Sequence, residues 1–203
     1  MRHLPASVLA AAVLAVLPSA SSAQEAAASS APEAAAAHGP IRAQKKLMVG
    51  AELGWNGLAG FGVNASYHVL PWLSFDAGAG MSSFRLKTGI RARANILTSE
   101  WTPFVAAGFL YGFGFGDQVF TTPVGTGETA SFRVGGSPFL QLVGGVDYTS
   151  DSGFTLLGTV GYVMLLRQNV TFVSNPPSAA AQGILNTTFG SGISVGLTLG
   201  YSF

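Results

Sequence analysis

Ser66 and His68 stand two residues apart in FGVNASYHV (Phe61–Val69), and Asp76 and Asp147 offer carboxylates further along the chain. A serine, a histidine and a carboxylate are the parts of a nucleophile–base–orienter relay, the chemistry of acyl transfer. The same stretch alternates apolar and small polar residues one by one, which is the period of a β-strand. Ser66 and His68 then share the face opposite Tyr67. An acyl-transfer relay must also lie where its substrate arrives, so the elements that carry these residues decide what they do.

Other chemistry is scarce. Only 9% of the 203 residues are charged, against roughly 25–35% for a soluble surface. A net charge of +1 gives no basic footprint for nucleic acid. The absence of cysteine excludes a disulfide framework and thiol catalysis. No His/Asp/Glu spacing fits a metal site, and no cofactor motif is found. GFGFGDQ (Gly112–Gln118) is glycine-rich but lacks the Lys-Ser/Thr ending of a phosphate loop. The sequence therefore predicts no catalytic, cofactor-binding or metal residues, and a protein that is not an enzyme.

The charges that remain fall on the polar face of alternating segments: Glu52 in LMVGAELGW (Leu47–Trp55), His68, Asp76 in LSFDAGAGM (Leu73–Met81), Arg91 and Arg93 in IRARANI (Ile90–Ile96), and Asp147 in FLQLVGGVDY (Phe139–Tyr148). Two further strands are FVAAGFLYGFGF (Phe104–Phe115) and FTLLGTVGYVML (Phe154–Leu165). The last is ISVGLTLGYSF (Ile193–Phe203), where Ile, Val, Leu, Leu, Tyr and Phe alternate with Ser, Gly, Thr, Gly and Ser. Eight such strands, each long enough to cross a bilayer when tilted, predict an all-β, eight-stranded antiparallel up-and-down transmembrane barrel. The turns at Leu70-Pro71-Trp72, Thr98–Pro103 and Ser150–Gly153 are read as short. The connections Ser82–Gly89, Gly116–Ser137 and Arg167–Thr188 are read as longer loops on the opposite side.

Sidedness follows from three features. The non-apolar face is mostly Gly, Ser, Thr and Asn, suited to a narrow lumen. The apolar face carries no charge in any strand, where Lys or Arg would cost about 2–4 kcal/mol at mid-bilayer. Aromatic residues gather beside the short turns: Tyr67, Trp72 and Phe75 at one, Trp101 at the next, Tyr148 and Phe154 at the third, with Tyr201 and Phe203 closing the last strand at the same level. That is a girdle at a membrane–water boundary. Glu52, His68, Asp76, Arg91, Arg93 and Asp147 then point inward and are expected to pair as a lumen charge network. Asp76 and Arg93 fall at similar depth, while Glu52 and Arg91 sit higher and meet only across the lumen. Gly50, Gly54, Gly192, Gly196 and Gly200 are expected along the closing seam.

The chain opens with a basic residue at Arg2, an apolar run Val8–Leu17 and the small residues Ser21-Ser22-Ala23. This reads as a signal peptide, residues 1–23, too short to span a bilayer. Residues 24–45 read as a disordered Ala-rich leader with nothing to bury, and residues 46–203 as the barrel.

On YHVLPWLSFDAGAG, WTPFVAAG, LVGGVDY and the terminal GLTLGYSF, the chain resembles the small outer-membrane β-barrel proteins of Gram-negative bacteria, the OmpA/OmpX type. The resemblance covers Lys46–Phe203. It implies residence in the cell outer membrane, lipid and lipopolysaccharide as neighbours, and a monomer. It also implies that Leu199, Tyr201 and Phe203 form a terminal signal read by the outer-membrane assembly machinery. A structural, adhesive or surface-interaction role is the function that this implies. Arg85, Lys87, Arg133 and Arg167 lie in or beside the longer loops, placed to meet anionic headgroups. The alternatives on the same strand pattern are a lipid-modifying enzyme or small transporter, and a soluble lipocalin-like binder whose apolar stripes face inward.

Overall fold

The computed structural model describes residues 39–123, 129–167, 170–173 and 178–203. The predicted signal peptide, the leader as far as residue 38, and Asn175-Pro176-Pro177 lie outside them. Eight strands close into an antiparallel barrel: β1 (Leu47–Trp55), β2 (Phe61–Leu70), β3 (Leu73–Ser82), β4 (Arg85–Asn95), β5 (Trp101–Gly112), β8 (Ser137–Thr149), β9 (Phe154–Leu165) and β11 (Gly192–Ser202). Each pairs with its neighbour in the chain's barrel order, and β11 returns to β1. Closure satisfies every strand edge within the protein, which hydrocarbon surroundings demand.

The seam is tight. Gly50 stands opposite Gly200 and Gly54 opposite Gly196. A Cβ on Gly50 would come within 2.5 Å of the Leu199 carbonyl oxygen, so a larger residue would force the two strands apart.

Outward positions are apolar along whole strands. In β11, Ile193, Val195, Leu197, Leu199 and Tyr201 are exposed, while Ser194, Thr198 and Ser202 are buried. Among the described barrel strands, the only exposed charged side chain is Arg85, at the very start of β4. The stripes thus turn away from the axis, contrary to a lipocalin-like interior.

Connections at the end holding the start of β1 and the end of β11, called here the lower end, are all short. The upper end differs from the sequence expectation. Ser82–Gly89 is not a long loop: β4 begins at Arg85, leaving Ser83 and Phe84 as the turn. Arg85, Lys87 and Thr88 have loop-like character, yet Lys87 points inward, and inside a barrel an inward polar residue is an ordinary strand residue. Likewise β5 begins at Trp101, inside the expected Thr98–Pro103 turn, and ends at Gly112, before Phe113 and Phe115. The other two upper connections contain structure. The first holds β6 (Phe120–Pro123) and β7 (Thr129–Val134), and the second holds β10 (Val170–Phe172) and a helix at Ala179–Phe189. The three short strands form one sheet in the order β10-β7-β6.

This cap shares a core with the upper lumen. Phe84, Phe132 and Phe139 pack there with Leu58, Leu110 and Val163, and Phe189 of the helix joins them. Ring contacts run from Phe120 to Phe132, Phe132 to Phe189, Phe189 to Phe84, and Phe84 to Phe139. The expectation of a hydrophilic lumen therefore fails in its upper part, and lower down Phe104, Ala106, Val143 and Leu157 form a second buried apolar cluster beside the charges. Leu110, Phe139 and Val163 point inward because the cap gives them apolar partners.

Candidate functional site

The lower lumen gathers charge. Asp76 on β3 and Arg91 on β4 are direct cross-strand partners, and Arg91 Nε donates to Asp76 Oδ2 at 2.7 Å. Arg93, two residues on, faces the same way and bridges two acids: one nitrogen reaches Asp76 Oδ1 at 3.3 Å and another Asp147 Oδ2 at 2.5 Å. Its guanidinium also lies 5.3 Å from the centre of the Phe104 ring, a cation–π distance. Thr149 Oγ1 donates to the second Asp147 oxygen. Buried charges persist mainly when so paired and hydrogen-bonded.

One member of this cluster lies outside the strand pattern. Residues Ile41–Gln44 form a helical turn (α1) rather than the end of a disordered leader, and Arg42 is 1% exposed. Its Nε donates to Asp147 Oδ2 at 3.2 Å, and its terminal nitrogens donate to the backbone carbonyls of Ser99, Glu100 and Asp147. The result is a continuous chain, Arg42–Asp147–Arg93–Asp76–Arg91. No spacing announces Arg42, because its partners are brought in by the barrel.

Glu52 has a different task. It does not meet Arg91: its two oxygens accept from the Ala59 backbone N–H at 3.1 Å and from Asn64 Nδ2 at 3.0 Å. The first bond draws the β1–β2 connection into the barrel, where Leu58 and Ala59 are wholly buried. Gln141 and Ser194 hold the other end of that connection by donating to the Asn56 carbonyl. The absent side chains of Gly78 and Gly89 make the room. A Cβ on Gly89 would lie 2.8 Å from Leu58 Cδ1, and one on Gly78 would lie 3.1 Å from Leu58 Cγ. Phe84 of the next upper turn also folds inward, over Gly112. Lys87, expected to face headgroups, instead points into the lumen at 2% exposure. Its inward position follows from its place in β4, opposite Gly80 and Gly112.

His68 and Ser66 are buried on the inner face of β2, Ser66 opposite Asp76 and His68 opposite Ser74. Among the described residues, no hydrogen bond is made by His68 Nδ1. The parts of an acyl-transfer relay are thus present but enclosed, and no carboxylate holds His68 Nδ1.

The lower aromatic residues form cross-strand pairs: Tyr67 with Phe75, Trp101 with Tyr148, and Phe154 with Tyr201. Trp101 stacks on Tyr148 with centroids 4.5 Å apart. Tyr201 contacts Phe203 edge-on and lies 5.9 Å from Lys45 Nζ. Trp72 is exposed at the β2–β3 turn. A second aromatic group, which the sequence reading did not single out, stands at the upper end: Trp55, Phe61, Tyr111 and Phe113. Trp101 and Tyr111 mark the two levels on β5. A strand of 12 residues tilted by ~40° rises roughly 30 Å, enough for the ~25 Å apolar band of a membrane barrel.

An eight-stranded up-and-down barrel that is apolar outside, charged inside and ringed by aromatics at both ends has the architecture of the small outer-membrane barrels. No family model matches the chain, and no curated protein matches it. Among solved structures the chain is similar to the N-terminal β-barrel domain of Pseudomonas aeruginosa OprF, with a TM-score of 0.48 and 14% identity over 78% of this chain and 98% of that domain.

Proposed function

We propose that this protein is an integral protein of the Gram-negative outer membrane, exported through a cleaved signal peptide, with a closed lumen and a non-enzymatic structural, adhesive or surface-interaction role. The observation that carries the reading is sidedness: exposed apolar stripes on every barrel strand, and the ionic groups of those strands buried in the interior except Arg85 at the upper rim. A Ser or His enclosed in that interior has no access to lipid, which supports a role other than lipid modification. Membrane lipid and lipopolysaccharide are its surroundings, the terminal Leu199, Tyr201 and Phe203 serve assembly, and the protein acts as a monomer.

The lumen is closed three times over. From below upward these are the Arg42–Arg91 charge chain, the inward Leu58–Ala59 connection and the aromatic core under the cap. The cap then offers the outer surface, with Val119, Val173 and Ile184 exposed on it. Fractionation, extraction, gel mobility and bilayer recording test the reading together. The protein should fractionate with the outer membrane, need detergent for extraction and show heat-modifiable gel mobility. In planar bilayers it should give no steady, wide conductance. Recovery in the aqueous fraction would overturn the location, and sustained nanosiemens openings would overturn the closed lumen.

A further inference from the structure

We propose that the outer wall over β3, β4 and β5 is a binding furrow for a phosphate-bearing anionic lipid, with the headgroup on Arg85 and one acyl chain in the furrow. This rests on the membrane reading above and adds a defined site to it.

The furrow is built by alternating large and small outward residues. Across the three strands, Phe75, Ala92 and Ala107 form one row of backbone partners, and Ala77, Ile90 and Phe109 form the next. Ala92 and Ala107 are therefore neighbours, and they floor a hollow of about 420 Å³ walled by Phe75, Ile90 and Phe109. The same two alanines floor a second hollow of about 250 Å³, bounded by Leu73, Val105 and Leu142. Above, past the row of Ala79, Thr88 and Tyr111, lies a hollow of about 430 Å³ between Met81, Leu86 and Phe113, with Arg85 at its edge. From Leu86 down to Ala94 the strand descends roughly 20 Å. That covers one leaflet of a hydrocarbon core ~30 Å thick, so the furrow fits a chain hanging from one boundary.

The top of the furrow carries the charge. Arg85 is exposed, and the ion pairs among the described residues all lie elsewhere, in the lumen. It follows the inward-turned Phe84 and adopts φ +68°, a backbone conformation natural to glycine and uncommon for other residues. Backbone comfort alone would place glycine there. An arginine in that position puts a guanidinium, able to grip phosphate oxygens by two N–H groups, over an acyl-sized hollow.

The strained backbone supplies a clean test, since Arg85→Gly removes the charge and relieves φ together. Barrels in mixed micelles would be offered dimyristoyl phosphatidylglycerol or dimyristoyl phosphatidylcholine at equal concentration, and the lipid retained would be counted by native mass spectrometry. The parent chain should retain the anionic lipid over the zwitterionic one by roughly fivefold, the preference that one basic residue gives near an anionic headgroup. Arg85→Gly should bring the ratio to about one while the barrel stays folded by heat-modifiable mobility. Ala92→Phe, which fills the furrow, should lower retention of both lipids. An unchanged preference in Arg85→Gly, or none in the parent chain, would overturn the site while leaving the membrane barrel intact. A parent chain that stays in water without detergent would overturn both.

Discussion

Arg42 and Asp147 meet inside the lower mouth, Nε to Oδ2 at 3.2 Å, across 105 residues of chain. The arginine arrives from the helical turn before β1 and the aspartate from the far side of the barrel, at the end of β8. Because the same guanidinium also bonds the carbonyls of Ser99 and Glu100, it ties the β4–β5 turn to β8 and seats α1 in the mouth. Arg42→Ala takes the guanidinium from the Ser99 carbonyl, while the Glu100 carbonyl keeps the Thr149 N–H and Arg93 still neutralises Asp147. The barrel should fold but lose about 1–3 kcal/mol, read as a lower urea midpoint in detergent. Hydrogen exchange should quicken around Asp147 and the β4–β5 turn and remain unchanged near Gly54. No change in either measurement would mean that Arg42 is not seated there.

Asp76 is the more exposed point of failure in energetic terms, because two arginines depend on it. Asp76→Asn leaves Arg91 without its acid and Arg93 with one acid in place of two. Breaking a buried pair on one side costs about 3–5 kcal/mol, so this variant should lose more than Arg42→Ala. Adding Arg91→Gln removes the stranded cation and should return part of the loss. A double variant less stable than Asp76→Asn would contradict the direct pairing of Asp76 with Arg91.

These contrasts show where the chain was readable before its structure. The alternation of β11 needs no partner to be seen, because lipid on one side and a narrow polar space on the other impose it residue by residue. The inward placement of Asp76, Arg91, Arg93 and Asp147 follows from the same periodicity. Elsewhere the period misleads. Phe104, Leu110 and Val163 break the apolar-out rule because the interior around them is itself apolar, built partly from a cap whose strands are 3 to 6 residues long. Lys87 reads as a loop residue unless the turn at Ser83-Phe84 is known. Arg42 and the helix at Ala179–Phe189 leave no local trace of their packing, since both depend on what the closed barrel offers them.

The glycines on the inner wall make a separate prediction. Gly89→Ala puts a methyl group 2.8 Å from Leu58 Cδ1 and 2.4 Å from Leu110 Cδ2, overpacking that costs about 1–3 kcal/mol. The two nearest obstacles there are side chains, so Gly89→Ala combined with Leu58→Ala should lose less than the two single losses added together. Gly50→Ala differs, because its new methyl group meets the Leu199 carbonyl and the Gly200 Cα across the seam. No side-chain truncation can relieve that. Urea unfolding of the two glycine variants, of Leu58→Ala and of each glycine variant combined with Leu58→Ala separates the cases. An equal shortfall from additivity in both combinations would refute the inward loop as the reason for Gly89.

Leu197 and Thr198 are neighbours on β11 with opposite outlooks, 43% and 3% exposed. If acyl chains surround the barrel, Leu197→Arg places a guanidinium in hydrocarbon near mid-height, and the cost is about 2–4 kcal/mol. In water the same substitution on an exposed residue would cost within about 0.5 kcal/mol. The two environments therefore separate by more than a kilocalorie at a single position. Folding into phosphatidylcholine vesicles, followed by urea titration, reads the difference directly. Leu197→Arg should shift the midpoint sharply downward. Leu197→Phe should leave it nearly in place, since it keeps the surface apolar. An arginine tolerated at Leu197 as readily as a phenylalanine would mean that water, not lipid, lies against that stripe.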